Sequence, residues 1–229
     1  MKKVLWILWK DLVIEFRSRE VTGAMGLFAL MVLVIFAFSF LRPGEKMPPE
    51  MIPGLVWVTI AFAGMLGLNH AFLPEKQNDS LMGLLLAPVG KSTIYLGKVF
   101  AHFIFLLLVE IIVLPLFFIF FNINLQGSFL HLVLVLFFGT IGFSGLGVFL
   151  SALAAHTRSN ELLLPIILFP VLIPLFLAGV NAAGIVFNGI WTDPVWVGAY
   201  WSWFRLMVVY DIIFLTLALL LIDYVLEVQ

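Results

Sequence analysis

Residues 73–93 read LPEKQNDSLMGLLLAPVGKST and separate two long apolar runs. The segment carries two competing signals. Gly90-Lys91-Ser92 ends like a phosphate-cradling loop, whereas residues 78–87 have the pattern of a short amphipathic helix. A phosphate loop needs G-x-x-x-x-G-K-[ST], so that successive backbone N–H groups wrap the phosphates. The first glycine would fall at position 85, which is Leu85, and Gly83 is two residues too early. Pro88 lies inside the would-be nest with no N–H to donate. No strand precedes the segment and no acidic partner follows in one, so the nucleotide reading fails.

The helix reading has support at every position. Asn78 or Asp79 supplies an N-cap. Leu81, Leu84, Leu85 and Pro88 then recur at intervals of 0, 3, 4 and 7, the spacing of one helix face. The helix should stop before Pro88, because the residue preceding a proline is pushed out of the α region. Ten residues are too few to cross a bilayer. The segment is therefore expected to lie on a membrane surface and offer an apolar ridge to lipid or to another protein.

The rest of the chain sets that surface. Of 229 residues, 63% are hydrophobic and 11% charged, against about 45–50% and about 25% in soluble domains. Apolar character persists to the C-terminus, which a cleaved signal peptide does not explain. Six windows are long enough to span, near 22–41, 52–73, 96–121, 128–153, 162–187 and 203–226, giving an all-α integral membrane protein with one membrane domain over 1–229. The absence of cysteine excludes disulfides and thiolate chemistry. A net charge of -1 argues against nucleic-acid binding.

Lysine and arginine concentrate in cytoplasmic segments. Lys2, Lys3, Lys10, Arg17, Arg19, Lys76, Lys91, Lys98 and Arg158 all fall on one side of this arrangement. Arg42 and Lys46 fall on the other, with Arg205 near a boundary. Both termini and residues 73–93 are thus expected to be cytoplasmic. Residues 1–19 repeat Leu5, Leu8, Leu12 and Phe16 beside Trp6 and Trp9, with Asp11 among the polar residues, and predict an interfacial amphipathic helix. On the far side, residues 188–203 are dense in Trp and Tyr, as at a headgroup belt. There Asp193-Pro194 is expected to start a short surface helix.

Three ionisable residues fall inside spans: His102, Glu110 and Asp211. Such groups are costly in lipid and should face protein or a water-filled cavity. For Glu110 a functional role and a structural polar contact both fit. His102, near Lys98, is expected to pack at the interface. No pair among His70, His102, His131 and His156 recurs at a spacing that places two imidazoles on one face, which argues against axial haem ligation. Gly147, Ser151 and Ala155 repeat every four residues and should let helices approach closely. Pro165, Pro170 and Pro174 should bend the fifth span.

Several short motifs, in this order, carry a family resemblance: Pro53-Gly54-x-x-Trp57; Phe72 and a polar run into Ser80-Leu81-x-x-Leu84-Leu85-Leu86-x-Pro88; Lys98-Val99-x-Ala101-His102; Gly139-Thr140 and Gly142-Phe143; and Leu168-x-Pro170-x-x-Ile173-Pro174. Together they resemble the CcmB family, or haem exporter protein B, within the type-2 ABC exporter permeases. One departure stands out. The family's surface helix opens with Gly before Ser/Thr-Leu-Glu, where this chain has Asp79-Ser80-Leu81-Met82.

The resemblance implies a non-catalytic subunit, two copies of which pair with two copies of an ATPase subunit, CcmA. It also implies association with CcmC, CcmD and the haem chaperone CcmE in cytochrome c maturation at the inner membrane. ATP would bind the partner and haem would be handled by the other subunits, so no cofactor is expected to bind this chain directly. In such permeases a short surface helix docks in a groove of the ATPase, which assigns Asp79, Leu81, Leu84, Leu85 and Pro88 to coupling. Two rival functions share these features. One is a permease of the same build that exports a drug, lipid or polysaccharide, and the other is a non-transporting scaffold for haem-handling subunits.

Overall fold

The computed structural model describes residues 2–40, 47–48, 50–73, 83, 89–123, 125, 127–155, 160–189 and 193–226. Asp79, Leu81, Leu84, Leu85 and Pro88 lie outside the described residues. The described elements are helices: α1 (Lys2–Ser18), α2 (Glu20–Phe40), α3 (Ile52–His70), α4 (Lys91–Phe120), α5 (Phe129–Ala155), α6 (Asn160–Phe187) and α7 (Pro194–Val225). All but α1 are long and apolar enough to cross a membrane. In hydrocarbon the backbone groups must be satisfied within the segment, so long apolar runs become continuous helices. Even the prolines are accommodated, with α6 running through Pro165, Pro170 and Pro174 and α4 through Pro115.

The inner helices are α3 and α5. In each, 67% of the apolar window is buried, against 22% in α2. Helix α5 packs on α3, α4, α6 and α7, and α3 also packs on α2, α4 and α6. Trp57 is the main wedge between them. Its indole lies against Gly139 of α5 and Gly179 of α6, and a Cβ on either glycine would run into the ring. Phe176 completes the slot at 5.9 Å between ring centroids.

Six spans return the C-terminus to the side of the N-terminus, and two contacts hold that side together. Lys91 Nζ donates to the Asp223 carbonyl at 2.7 Å, where the last carbonyls of α7 have no helical partner. Lys98 Nζ lies 3.1 Å from Asp11 Oδ2 of α1 and 5.5 Å from the centroid of the Phe72 ring. Gly90 is the N-cap of α4, so Gly90-Lys91-Ser92 is a helix start.

Two expectations need correction. On α1 the correction concerns Asp11, since the stripe Leu5, Leu8, Leu12 and Phe16 is expected to face lipid rather than the bundle. Leu8 and Leu12 are half-buried, while Leu5 and Phe16 are exposed together with Trp6, Trp9 and Val13. Its inward face is Val4, Ile7, Leu8, Asp11 and Glu15. Ile7 presses on Gly97, with its Cβ 2.9 Å from where a Cβ on that glycine would stand. Asp11, expected among the outer polar residues, turns inward because Lys98 is there to meet it. Glu15 turns inward too and accepts from Thr22 N at 2.7 Å and Val21 N at 3.4 Å, satisfying the free N–H groups at the start of α2. The corner itself is made by Arg19, whose φ is 55°.

The second correction concerns α7, which begins nine residues before the expected boundary at 203. Asp193 is indeed its N-cap, accepting from Val195 N at 2.9 Å, and a proline opens the helix. No separate surface helix follows, because the aromatic residues continue the helix and pack on α5. Tyr200 donates to the His131 carbonyl at 3.0 Å, and the Phe204 and Phe138 rings meet edge to face at 5.2 Å.

Candidate functional site

The intramembrane polar residues converge on a single short segment of α5, residues 139–147, GTIGFSGLG. Nearly every side of this segment is used. Gly139 admits Trp57 of α3, and Gly147 admits Leu68 of the same helix. Gly145 admits Leu215 of α7, and its carbonyl accepts from Tyr95 of α4 at 2.9 Å. One turn further on, Ser151 donates to the Leu68 carbonyl at 2.8 Å. Small residues let the helices approach closely enough for these hydroxyl-to-backbone bonds to form. The Gly147 and Ser151 spacing thus marks the α3 contact.

His102 is fully inside the bundle and not at the interface. Its Nε2 lies 3.0 Å from the Gly64 carbonyl, which can only accept, so Nε2 carries the proton. Nδ1, 2.9 Å from Ser144 Oγ, is then the acceptor for that hydroxyl. The ring stacks on Phe143 at 6.0 Å. With both nitrogens engaged, His102 ties α3, α4 and α5 together. Gly67 is required there, since a Cβ on it would stand 3.0 Å from Nε2 and 2.8 Å from Met25 Sδ.

The two carboxyls sit on opposite flanks of the segment. Glu110 of α4 is 3% exposed and accepts from the Thr140 hydroxyl at 2.5 Å. It also lines a cleft between α4 and α5, about 680 Å³ in volume. The other lining side chains, from Leu107 to Ile119 on α4 and from Phe129 to Phe137 on α5, are apolar. Asp211 of α7 is 4% exposed, and neither carboxylate oxygen has a hydrogen-bond partner among the described residues. It lies against Gly142, where an added Cβ would collide with Oδ1 and stand 3.0 Å from Leu175 Cδ2. Its neighbour Tyr210 is answered, donating to the Val171 carbonyl at 3.0 Å.

His102, Glu110 and Asp211 each contact a different residue of the 139–147 segment, whereas the surface-helix residues Asp79, Leu81, Leu84, Leu85 and Pro88 lie outside the described residues. Thr140, Ser144, Tyr95 and Gly142 are the members that sequence reasoning missed in these roles. Their signal was present in the small-residue run, but nothing in it names a partner. Among the described residues no group of three His, Asp or Glu side chains is arranged to hold a metal.

The family model described as CcmB protein matches residues 2–228. The chain is 29% identical over 166 residues to heme exporter protein B of Pseudomonas aeruginosa, covering 72% of this chain and 73% of that protein. It is 28% identical over 175 residues to heme exporter protein B of Rhodobacter capsulatus, covering 76% and 79%. A shorter match, 30% over 101 residues, joins it to heme exporter protein B of Escherichia coli, covering 43% and 45%.

Proposed function

The chain belongs to the CcmB family, and from that premise we propose that it is the permease subunit of an ABC-type complex in cytochrome c maturation. It is a multi-pass membrane protein whose relatives are named as haem exporters. In the proposed reading a separate ATPase subunit, CcmA, docks on residues 78–87, and two copies of each subunit form the working unit. ATP hydrolysis on the partner drives haem delivery and release of the haem-loaded chaperone CcmE, with CcmC and CcmD alongside. The subunit performs no catalysis itself and sits in the inner membrane with both termini cytoplasmic.

The observation that carries this reading is the near-complete family match, and the termini-side contacts supply its mechanics. Residues 73–90 connect α3 to α4, so a push on them acts directly on both helices. Lys98 extends that action to α1 through Asp11, and Lys91 extends it to α7 through the Asp223 carbonyl. Within the bilayer, α4 and α7 each meet α5 at residues 139–147. A displacement delivered by the ATPase thus has a packed route to the bundle centre.

An ATPase subunit able to bind but not hydrolyse ATP tests the proposal. Cells carrying it should fail to assemble cytochrome c although the membrane complex still purifies intact. Normal assembly would leave a scaffold role as the better account. Normal assembly in cells lacking this chain would instead favour export of another substrate.

A further inference from the structure

Both acids of α1 face the bundle, and that leaves the outer surface of the helix cationic. The helix carries four cationic side chains, Lys2, Lys3, Lys10 and Arg17, and two acidic ones, Asp11 and Glu15. Asp11 Oδ2 meets Lys98 at 3.1 Å, and its Oδ1 meets Lys10 at 3.2 Å. Glu15 is 6% exposed and is taken up by the first N–H groups of α2. All four cationic residues are exposed. Lys3, Lys10 and Arg17 follow at intervals of seven, a spacing that drifts only about 20° per step on a helix, so they form one line with members roughly 10 Å apart. The next acid, Glu20, belongs to α2, beyond the corner at Arg19.

An apolar face borders that line. Trp6, Trp9 and Phe16 are 72%, 64% and 63% exposed, with Leu5 and Val13 among them. The level of this surface is set by α4, which has 30 residues and starts at Lys91. A helix of that length is about 45 Å long, enough to cross a bilayer together with its headgroup layers. Ile7 packs on Gly97 and Asp11 meets Lys98. Both contacts therefore fall about 10 Å from the end of α4, where headgroups give way to acyl chains.

That combination selects the partner. An acidic protein surface would answer the cations but leave the aromatic face at the edge of the hydrocarbon uncovered. Zwitterionic lipid would cover the aromatic face but bring no net charge to the cations. Anionic phospholipid supplies both, a negative headgroup beside an acyl chain. We infer that α1 is a binding surface for anionic phospholipids, in which Lys3, Lys10 and Arg17 hold the headgroups while Trp6, Trp9 and Phe16 enter the acyl layer beside them. An interfacial position follows from the amphipathic pattern alone, whereas selectivity for lipid charge follows from the inward turn of Asp11 and Glu15.

The chain has no cysteine, so a single probe reports cleanly. The full chain with Val13→Cys, labelled with a fluorophore, is reconstituted in phosphatidylcholine vesicles. A small fraction of the lipid carries a nitroxide high on its acyl chain, in either phosphatidylglycerol or phosphatidylcholine. The nitroxide phosphatidylglycerol should quench roughly threefold more than the nitroxide phosphatidylcholine, and high salt should erase the difference. The preference should vanish when Lys3→Gln, Lys10→Gln and Arg17→Gln are combined and survive when Lys3→Arg, Lys10→Arg and Arg17→Lys are combined. It should be absent for a probe at Phe129→Cys, exposed at the start of α5. Equal quenching by the two lipids at position 13, an equal preference at position 129, a preference that persists in the glutamine variant, or one lost in the charge-keeping variant overturns the proposal. So does equal quenching accompanied by loss of ATPase recovery in the glutamine variant, which assigns the cationic line to an acidic protein surface. The vesicles hold no ATPase subunit, so the lipid preference is independent of the coupling reading.

Discussion

Helix α5 carries a carboxyl on each flank, and the two are treated differently. On the α4 side, Glu110 accepts a hydrogen bond from the Thr140 hydroxyl beside an apolar cleft. On the α7 side, Asp211 is as deeply buried yet neither oxygen has a described donor, and the only thing made for it is the space at Gly142. A buried polar atom left without a partner costs about 1–3 kcal/mol. The α4 flank has offset that cost inside the chain, and the α7 flank has not. Space and hydrogen bonding are therefore separable requirements at this site, and mutations can probe each alone.

The largest effect is expected from Gly142→Ala. Glycine to alanine within a helix ordinarily stabilises by about 0.5–1 kcal/mol. Here the added methyl collides with Asp211 Oδ1 and crowds Leu175, so a loss of about 3 kcal/mol is expected, as for overpacking. Thermal unfolding of the detergent-solubilised chain, followed by tryptophan fluorescence, reads this directly. Asp211→Ala in the same chain should recover most of the loss, and failure to do so would place the strain elsewhere.

Next comes Thr140→Val, which keeps shape and removes the donor from Glu110. It should cost about 2 kcal/mol in the same assay, with Thr140→Ser close to wild type. If Thr140→Val is neutral, Glu110 is no better satisfied than Asp211 and the contrast between the flanks disappears.

Asp211→Ala alone should change stability by less than about 1 kcal/mol, because removing two unpartnered oxygens offsets the small cavity left behind. A loss as large as that of Thr140→Val would mean that Asp211 has a partner after all. The smallest effect is expected at the termini side, where Lys91→Ala removes an exposed bond to the end of α7 and should cost about 0.5 kcal/mol.

Much of this fold was legible from apolar run length, because the bilayer enforces helix length directly. Five of the six spans begin and end close to where hydropathy placed them and α7 ends there, and the start signal Asp193-Pro194 proved to be a helix cap. Hydropathy failed at α7, whose first turns are aromatic enough to read as a surface belt but are held in the span by Tyr200 and Phe204. It also failed on α1, where Asp11 faces inward because Lys98 is there to meet it.

The candidate site was half legible. His102, Glu110 and Asp211 stand out because charge is rare in a span, but spans that are apolar on every side show no preferred face. Nothing in the periodicity pairs Glu110 with Thr140 or His102 with Ser144, partners 30 and 42 residues apart. Those pairings exist only once the small residues of α5 have let four helices close around it.

The central mechanical claim of the proposed function is that the ATPase subunit acts on residues 78–87. The direct measurement is copurification of that subunit with the tagged full-length chain after Leu84→Glu or Leu85→Glu. Each change should abolish ATPase recovery while the chain keeps its wild-type thermal unfolding midpoint. Undiminished recovery with both changes present would contradict the account.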